Sequence, residues 1–146
     1  MKNYGTASDT VVGCWQMVEA WNKDTPTSPP TYPWGNPPLG YWVFDPAGNA
    51  SVMISINPPL SNLSPPANGW WSIDICHEMA DSFNNTYAYF GTYTVDANNI
   101  NITVTADVLR QYNGTVQPRP YKLEGDFLLV GDLQTWLRKL KRVASF

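Results

Sequence analysis

The sequence predicts an all-β fold, an antiparallel meander of eight strands with one short helix. Three observations carry this. Runs of alternating, β-branched and aromatic residues recur along the chain, separated by clusters of Asn, Asp, Gly and Pro. Aromatic and charged residues stand at 14% each, too apolar a balance for a disordered chain and too weakly charged for a polyanion-binding surface. The 146 residues suffice for a single domain, 1–146, with one core.

Residues 11–21 read as the first strand. Period-2 alternation places Trp15, Met17, Glu19 and Trp21 on one face, and Cys14, Gln16, Val18 and Ala20 on the other. From Asn22 to about Pro38, six prolines exclude both helix and central strand, and Tyr32 and Trp34 there suit a flap over an opening. LGYWVFDPAGNASVMISI, from Leu39 to Ile56, is a hairpin turning at Asp45–Asn49. A second irregular segment, 57–68, leads into WWSIDICHEMADSF. Its helical spacing of Trp71, Ile75 and Met79, with Ser72 as N-cap and Asp74 in the first turn, predicts a short helix. TYAYFGTYTV and INITVTADV follow as a strand pair turning at Asp96–Asn99. Three more strands are expected at about 117–124, 126–131 and 134–143, with a tight turn at Glu124-Gly125-Asp126. Such a meander can stay an open sandwich or close into a barrel. Closure removes the edge strands, and eight strands enclose just enough room for side chains or one small ligand.

The net charge of −3 argues against nucleic acid as a partner. Four of the nine basic residues, Arg138, Lys139, Lys141 and Arg142, crowd near the C-terminus and read as an alternating edge of solvated charges. Cys14 and Cys76 have no CxxC spacing, and MKNYGTASDT lacks the apolar stretch of a secretion signal, so a cytoplasmic location is expected. Five Asn-x-Ser/Thr sequons carry little weight without an export signal. No run approaches the ~18 apolar residues of a membrane span. No Gly-x-Ser-x-Gly elbow, P-loop or dinucleotide fingerprint is present, and His77 is the single histidine. Neither a cofactor nor a metal is expected, and His77 reads as structural or incidental.

Gly13-Cys14-Trp15 matches the Gly-x-Trp of the lipocalins, and Arg138 lies in the last strand, where lipocalins keep an arginine. The segments AYFGTYTVDANNINITV and RPYKLEGDFLLV resemble the lipocalin-like domain family of compact microbial proteins, from which the two Pro-rich insertions depart. The resemblance implies a calycin-type, closed, eight-stranded up-and-down barrel. It also implies that Trp15 plugs the closed end with Arg138 packed across it, a pairing that gains about 0.5–2 kcal/mol. Gly13 would let the neighbouring backbone pass close by.

With Trp15 inward, alternation carries Met17, Glu19 and Trp21 inward too. Glu19 then either projects into an aromatic cavity as a general acid or base, or pairs with Arg119, or sits at a wet rim. Tyr87, Tyr89 and Tyr93 share a face, with Gly91 leaving a gap; they can stack on a flat ligand or simply fill the barrel. The expected catalytic residues are Glu19, Tyr89 and Arg119. The expected ligand contacts are Met17, Trp21, Trp34, Trp42, Phe44, Tyr87, Tyr93 and Tyr121, with Trp15 and Arg138 structural. Similar barrels isomerise or cyclise reactive small molecules in secondary metabolism without a cofactor, and the resemblance implies such a cyclase or isomerase acting on a hydrophobic small molecule. The alternative is a carrier of a hydrophobic metabolite. FLLV at 127–130 is apolar on both faces, so its outer side needs either the helix around 73–83 or a second copy, a possible homodimer.

Overall fold

The computed structural model describes residues 10–60, 77, 80–81 and 83–146. Eight antiparallel strands, β1 (Gly13–Asn22), β2 (Leu39–Phe44), β3 (Asn49–Ser55), β4 (Thr86–Val95), β5 (Asn99–Asp107), β6 (Val116–Glu124), β7 (Phe127–Val130) and β8 (Trp136–Ala144), close in chain order into an up-and-down barrel. The eight predicted runs are therefore eight strands, and closure rather than a sandwich is realised. A single 3₁₀ turn at Arg110–Tyr112 joins β5 to β6. The helix expected over 70–83 lies largely outside the described residues; His77, Ala80, Asp81, Phe83 and Asn84 are helical, and His77 is exposed. Among the described residues no helix is long and apolar enough to cross a membrane.

The barrel's two ends differ. At one end the connections are the short turns 45–48, 96–98 and 125–126. At the other they are the long segments 23–38, 56–85 and 108–115, together with 131–135. Asparagine and aspartate side chains make two of the short turns. Asp45 accepts the Asn49 backbone N–H at 2.8 Å, and Asp96 accepts those of Asn98 and Asn99 at 2.8 Å each. Inside this end the lumen is filled by Trp15, Phe44, Ile100, Ile102, Leu128 and Leu140, all fully buried.

Trp15 is the floor of the barrel, and its indole Nε1 donates to the Val11 carbonyl at 2.8 Å. The arginine across it is Arg142 and not Arg138. The Arg142 guanidinium lies 4.1 Å from the indole centroid and donates to the carbonyls of Val12 (2.7 Å) and Thr10 (2.6 Å). The register explains the correction: Trp15 stands opposite Arg142, whereas Arg138 stands opposite Ala20, about 13 Å further along β8 at the usual strand rise. Gly13 is required here. It holds φ of 151°, and a Cβ on it would come within 2.7 Å of Arg142 Nη1 and 2.9 Å of the Ala144 carbonyl.

A second correction concerns β1 itself. Met17 pairs with Leu140 but Glu19 already pairs with Lys139, so Val18 is the extra residue of a β-bulge. Beyond it the alternation reverses. Ala20 is the fully buried, inward residue, while Glu19 and Trp21 turn away from the lumen, Trp21 under the Lys23 ammonium at 5.0 Å. The predicted basic edge also divides. Arg138 and Arg142 are half-buried on the inner face, with Lys139 and Lys141 on the outer; Lys139 covers the Phe127 ring at 4.6 Å. On β4 the predicted row of Tyr87, Tyr89 and Tyr93 does share one face, but Gly91 leaves no gap, because the Thr103 carbonyl of β5 occupies the place of a Cβ.

Replacing Gly13 with alanine is expected to cost about 1–3 kcal/mol, since the new methyl meets both the clamp arginine and β8 backbone in a conformation it disfavours. A urea midpoint equal to that of the unaltered protein would show that the close approach is not needed.

Candidate ligand cavity

Above the filled half, at the end with the long connections, lies a cavity of about 500 Å³, within the range of small-molecule sites. Three of the four connections contribute to its wall: Trp34 from the segment after β1, Phe83 and Asn84 from that before β4, and Leu109 from that after β5. The strands add Trp42, Ile54, Thr86, Tyr87 and Tyr89, and Arg119, Trp136 and Arg138 complete the lining. Trp34 is held in place by its own carbonyl, which accepts the Asn57 N–H at 2.9 Å and so ties the Pro-rich segment to the end of β3.

Trp136 is set by Asp132. The aspartate Oδ1 accepts the backbone N–H groups of Gln134 (2.9 Å), Thr135 (2.7 Å) and Trp136 (3.0 Å), and Oδ2 accepts the Thr135 hydroxyl. These bonds to the ionised form, the Thr135 hydroxyl foremost, hold its carboxyl far below the usual carboxylate range.

Among the polar groups of the lining, Arg119, Arg138, Tyr87 and Tyr89 supply hydrogen-bond donors. Arg138 stacks on Trp34 at 4.8 Å and on Trp136 at 5.4 Å, and donates to the carbonyls of Trp21 (3.0 Å) and Leu137 (2.8 Å) and to Asn22 Oδ1 (2.9 Å). Burial, and then the like charge of Arg119, lower its pKa to about 10, so it remains a cation at neutral pH. The Arg119 guanidinium lies 5.9 Å from the Trp136 centroid. Tyr87 and Tyr89 meet edge to face at 5.5 Å. Burial raises both phenols, that of Tyr87 to about 12, with the Asp107 charge adding to the rise and Arg119 opposing it. Both therefore stay protonated as donors. Trp42 is 3% exposed, and its indole Nε1 has no hydrogen-bond partner among the described residues.

Of the residues expected from sequence, Trp34, Trp42, Tyr87, Tyr89, Arg119 and Arg138 come together at the cavity. The others do not. Glu19 and Trp21 lie outside the lumen beyond the bulge. Met17 and Phe44 are buried in the filled half, where Phe44 meets Tyr93 edge to face at 5.0 Å. The Tyr93 hydroxyl donates to the Asp45 carbonyl at 2.7 Å, and that of Tyr121 to the Asp96 carbonyl at 3.2 Å, so both serve the short-turn end. Sequence reasoning missed Trp136, although it shares the inner face with Arg138 by simple alternation. It also missed Leu109 and Asp107. Asp107 stands opposite Tyr89 with Oδ1 on the Leu109 N–H at 2.6 Å and Oδ2 buried without a partner. No pattern in TADVLRQY marks either residue.

A closed eight-stranded up-and-down barrel with one sealed end and an aromatic cavity at the other is the architecture of a small hydrophobic ligand binder. The chain belongs to the lipocalin-like domain family, whose model matches residues 12–144. No curated protein matches the chain.

The depressed carboxyl of Asp132 contributes stability that is present above the unfolded value of 3.8 and is lost as pH falls through its lower folded value. Asp45 and Asp96, also lowered, add to the same acid limb. Thermal midpoints of the unaltered protein and Asp132→Asn should therefore differ at pH 6 and converge below pH 3.8. A gap that stays constant with pH would assign the loop's stability to something other than this ionised carboxylate.

Proposed function

We propose that the protein binds a hydrophobic small molecule in this cavity and guides its isomerisation or cyclisation without a cofactor, a reaction of the secondary-metabolite type. The observation that supports this reading is the pairing of apolar walls with convergent donors. Trp34, Trp42, Ile54 and Leu109 offer surfaces that fold a flexible chain, while Tyr89 and Arg119 offer hydrogen bonds to one oxygen of it. Holding a polyene or enone near its reactive shape lowers the entropic part of the barrier. Donors aimed at a carbonyl stabilise the negative charge that develops on its oxygen as the new bond forms. Because the Tyr89 phenol is kept protonated by burial, it donates its proton to that oxygen or shares it. Glu19, turned out of the lumen, has no part in this scheme.

A carrier is the second reading, and a specific feature favours it: the cavity lining contains no carboxylate and no histidine among the described residues, hence no ready base. The two are separated by incubating the protein with α,β-unsaturated ketones and polyenes, and analysing the recovered material by chromatography and mass spectrometry. A product of unchanged mass and altered retention supports catalysis, and Tyr89→Phe should then slow turnover by about 10- to 100-fold with tryptophan quenching by the ligand little changed. Bound material recovered unaltered would make the protein a carrier.

A further inference from the structure

The chain as a whole is acidic, with a net charge of −3, yet its cavity is lined by two arginines and no carboxylate among the described residues. Arg119 comes from β6 and Arg138 from β8. The intervening β7 stops at Val130, which pairs with Arg138, so above that level side chains of β6 and β8 face each other directly. Both guanidiniums are drawn to the same ring, at 5.9 Å and 5.4 Å from the Trp136 centroid.

Neither forms an ion pair among the described residues. The sole ion pair among the described residues joins Lys122 to Glu124 at 2.8 Å, both well exposed on the outer face of β6. Arg138 spends its hydrogen bonds on two carbonyls and the Asn22 amide oxygen, neutral acceptors that satisfy N–H groups without cancelling the charge. Asp107, whose charge is felt by Tyr87 and Tyr89, forms no ion pair with either guanidinium. Two like charges converging in a largely apolar pocket disfavour the empty site, and an anion entering it relieves both the repulsion and the missing solvation. A separate observation points the same way: the Trp42 indole N–H, in the same wall, is buried without an acceptor.

We infer that the cavity's ligand is an amphipathic organic anion, its carboxylate or equivalent oxyanion seated between Arg119 and Arg138 and its apolar body lying against Trp34, Trp42 and Ile54. This rests on the reading of the cavity as a small-molecule site and specifies the class of molecule. Guanidinium suits such a head group because its planar fork meets two oxygens at once.

The test is a fluorescence titration of the full chain with two probes of similar ring system. One, 1-anilinonaphthalene-8-sulfonate, is an anion; the other, N-phenyl-1-naphthylamine, is neutral. The anion is expected to bind at least about tenfold more tightly, and Arg119→Gln to remove about that factor for the anion while leaving the neutral probe within about twofold. Dodecanoate should displace both probes at lower concentration than dodecanol does. Arg138→Gln, checked for folding by circular dichroism, should repeat the effect. Equal affinities for the two probes, or a loss in Arg119→Gln that is the same for both, would overturn the anion assignment and leave the cavity reading standing. Binding of neither probe would remove both. An anion preference that survives both substitutions would place the anion elsewhere and also overturn the assignment.

Discussion

The ladder between the first and last strands decides what every level of this barrel contains. β1 and β8 lie antiparallel from Cys14 opposite Ala144 to Asn22 opposite Trp136, and with that seam made no strand edge is left open. All inward side chains must then share one lumen, and the pairs along the seam set its width. At the floor Trp15 faces Arg142, and a level higher Met17 faces Leu140, two large pairs that fill the cross-section. After the bulge at Val18 the next inward residue is Ala20, opposite Arg138. Had the alternation run on unbroken, Glu19 would stand there. The small methyl leaves room beside Arg138, and it is at this height that packing gives way to cavity.

Much of this was legible from the sequence. Turn chemistry located the hairpins, and β-branched and aromatic runs located the strands, because both are local properties of a few residues. The inner face of β4 followed from alternation alone, Tyr87, Tyr89 and Tyr93 together. What failed were properties of register. Nothing in QMVEAW marks a bulge: each residue is acceptable in a strand, and the extra one is visible only when two strands are paired. The same holds for the arginine over Trp15. Arg138 and Arg142 sit on the same face of β8 by period 2, and a seam pairing, not a motif, decides which reaches the floor. Leu109 and Asp107 enter the site region from the end of β5 and its following turn, where the backbone path has no periodic signature.

The long and short connections divide the labour between the barrel's ends. Short turns need their polar side chains for themselves, and there Asp45, Asp96, Tyr93 and Tyr121 are engaged with nearby backbone. At the other end, residues supplied by longer segments lean over the lumen, and their own hydrogen bonds go outward: Trp34 through its carbonyl to Asn57, and the 131–135 connection through Asp132. Facing inward, the Trp42 indole N–H has no acceptor among the described residues. The protonated phenols of Tyr87 and Tyr89 and the cationic Arg138 remain donors across the neutral range.

The two arginines of β8 show how one residue type can be structural at one level and available at another. Arg142 is held through Nη1 and Nη2 by two backbone carbonyls of the segment leading into β1 while it lies on Trp15, so both terminal nitrogens are committed to closing the barrel. Arg138 is bonded to the Trp21 and Leu137 carbonyls and the Asn22 amide oxygen, and it also lies on two rings, Trp34 on one element and Trp136 on another. An indole face stabilises a cation by about 0.5–2 kcal/mol without cancelling its charge, whereas a carboxylate partner would cancel it. Seating Arg138 on tryptophans therefore fixes the position of a positive charge and leaves its field directed into the cavity. A salt bridge in the same place would have anchored the side chain equally well and cancelled that charge. Among the described residues the anchor of Arg138 is aromatic and not acidic, within a chain whose net charge is −3.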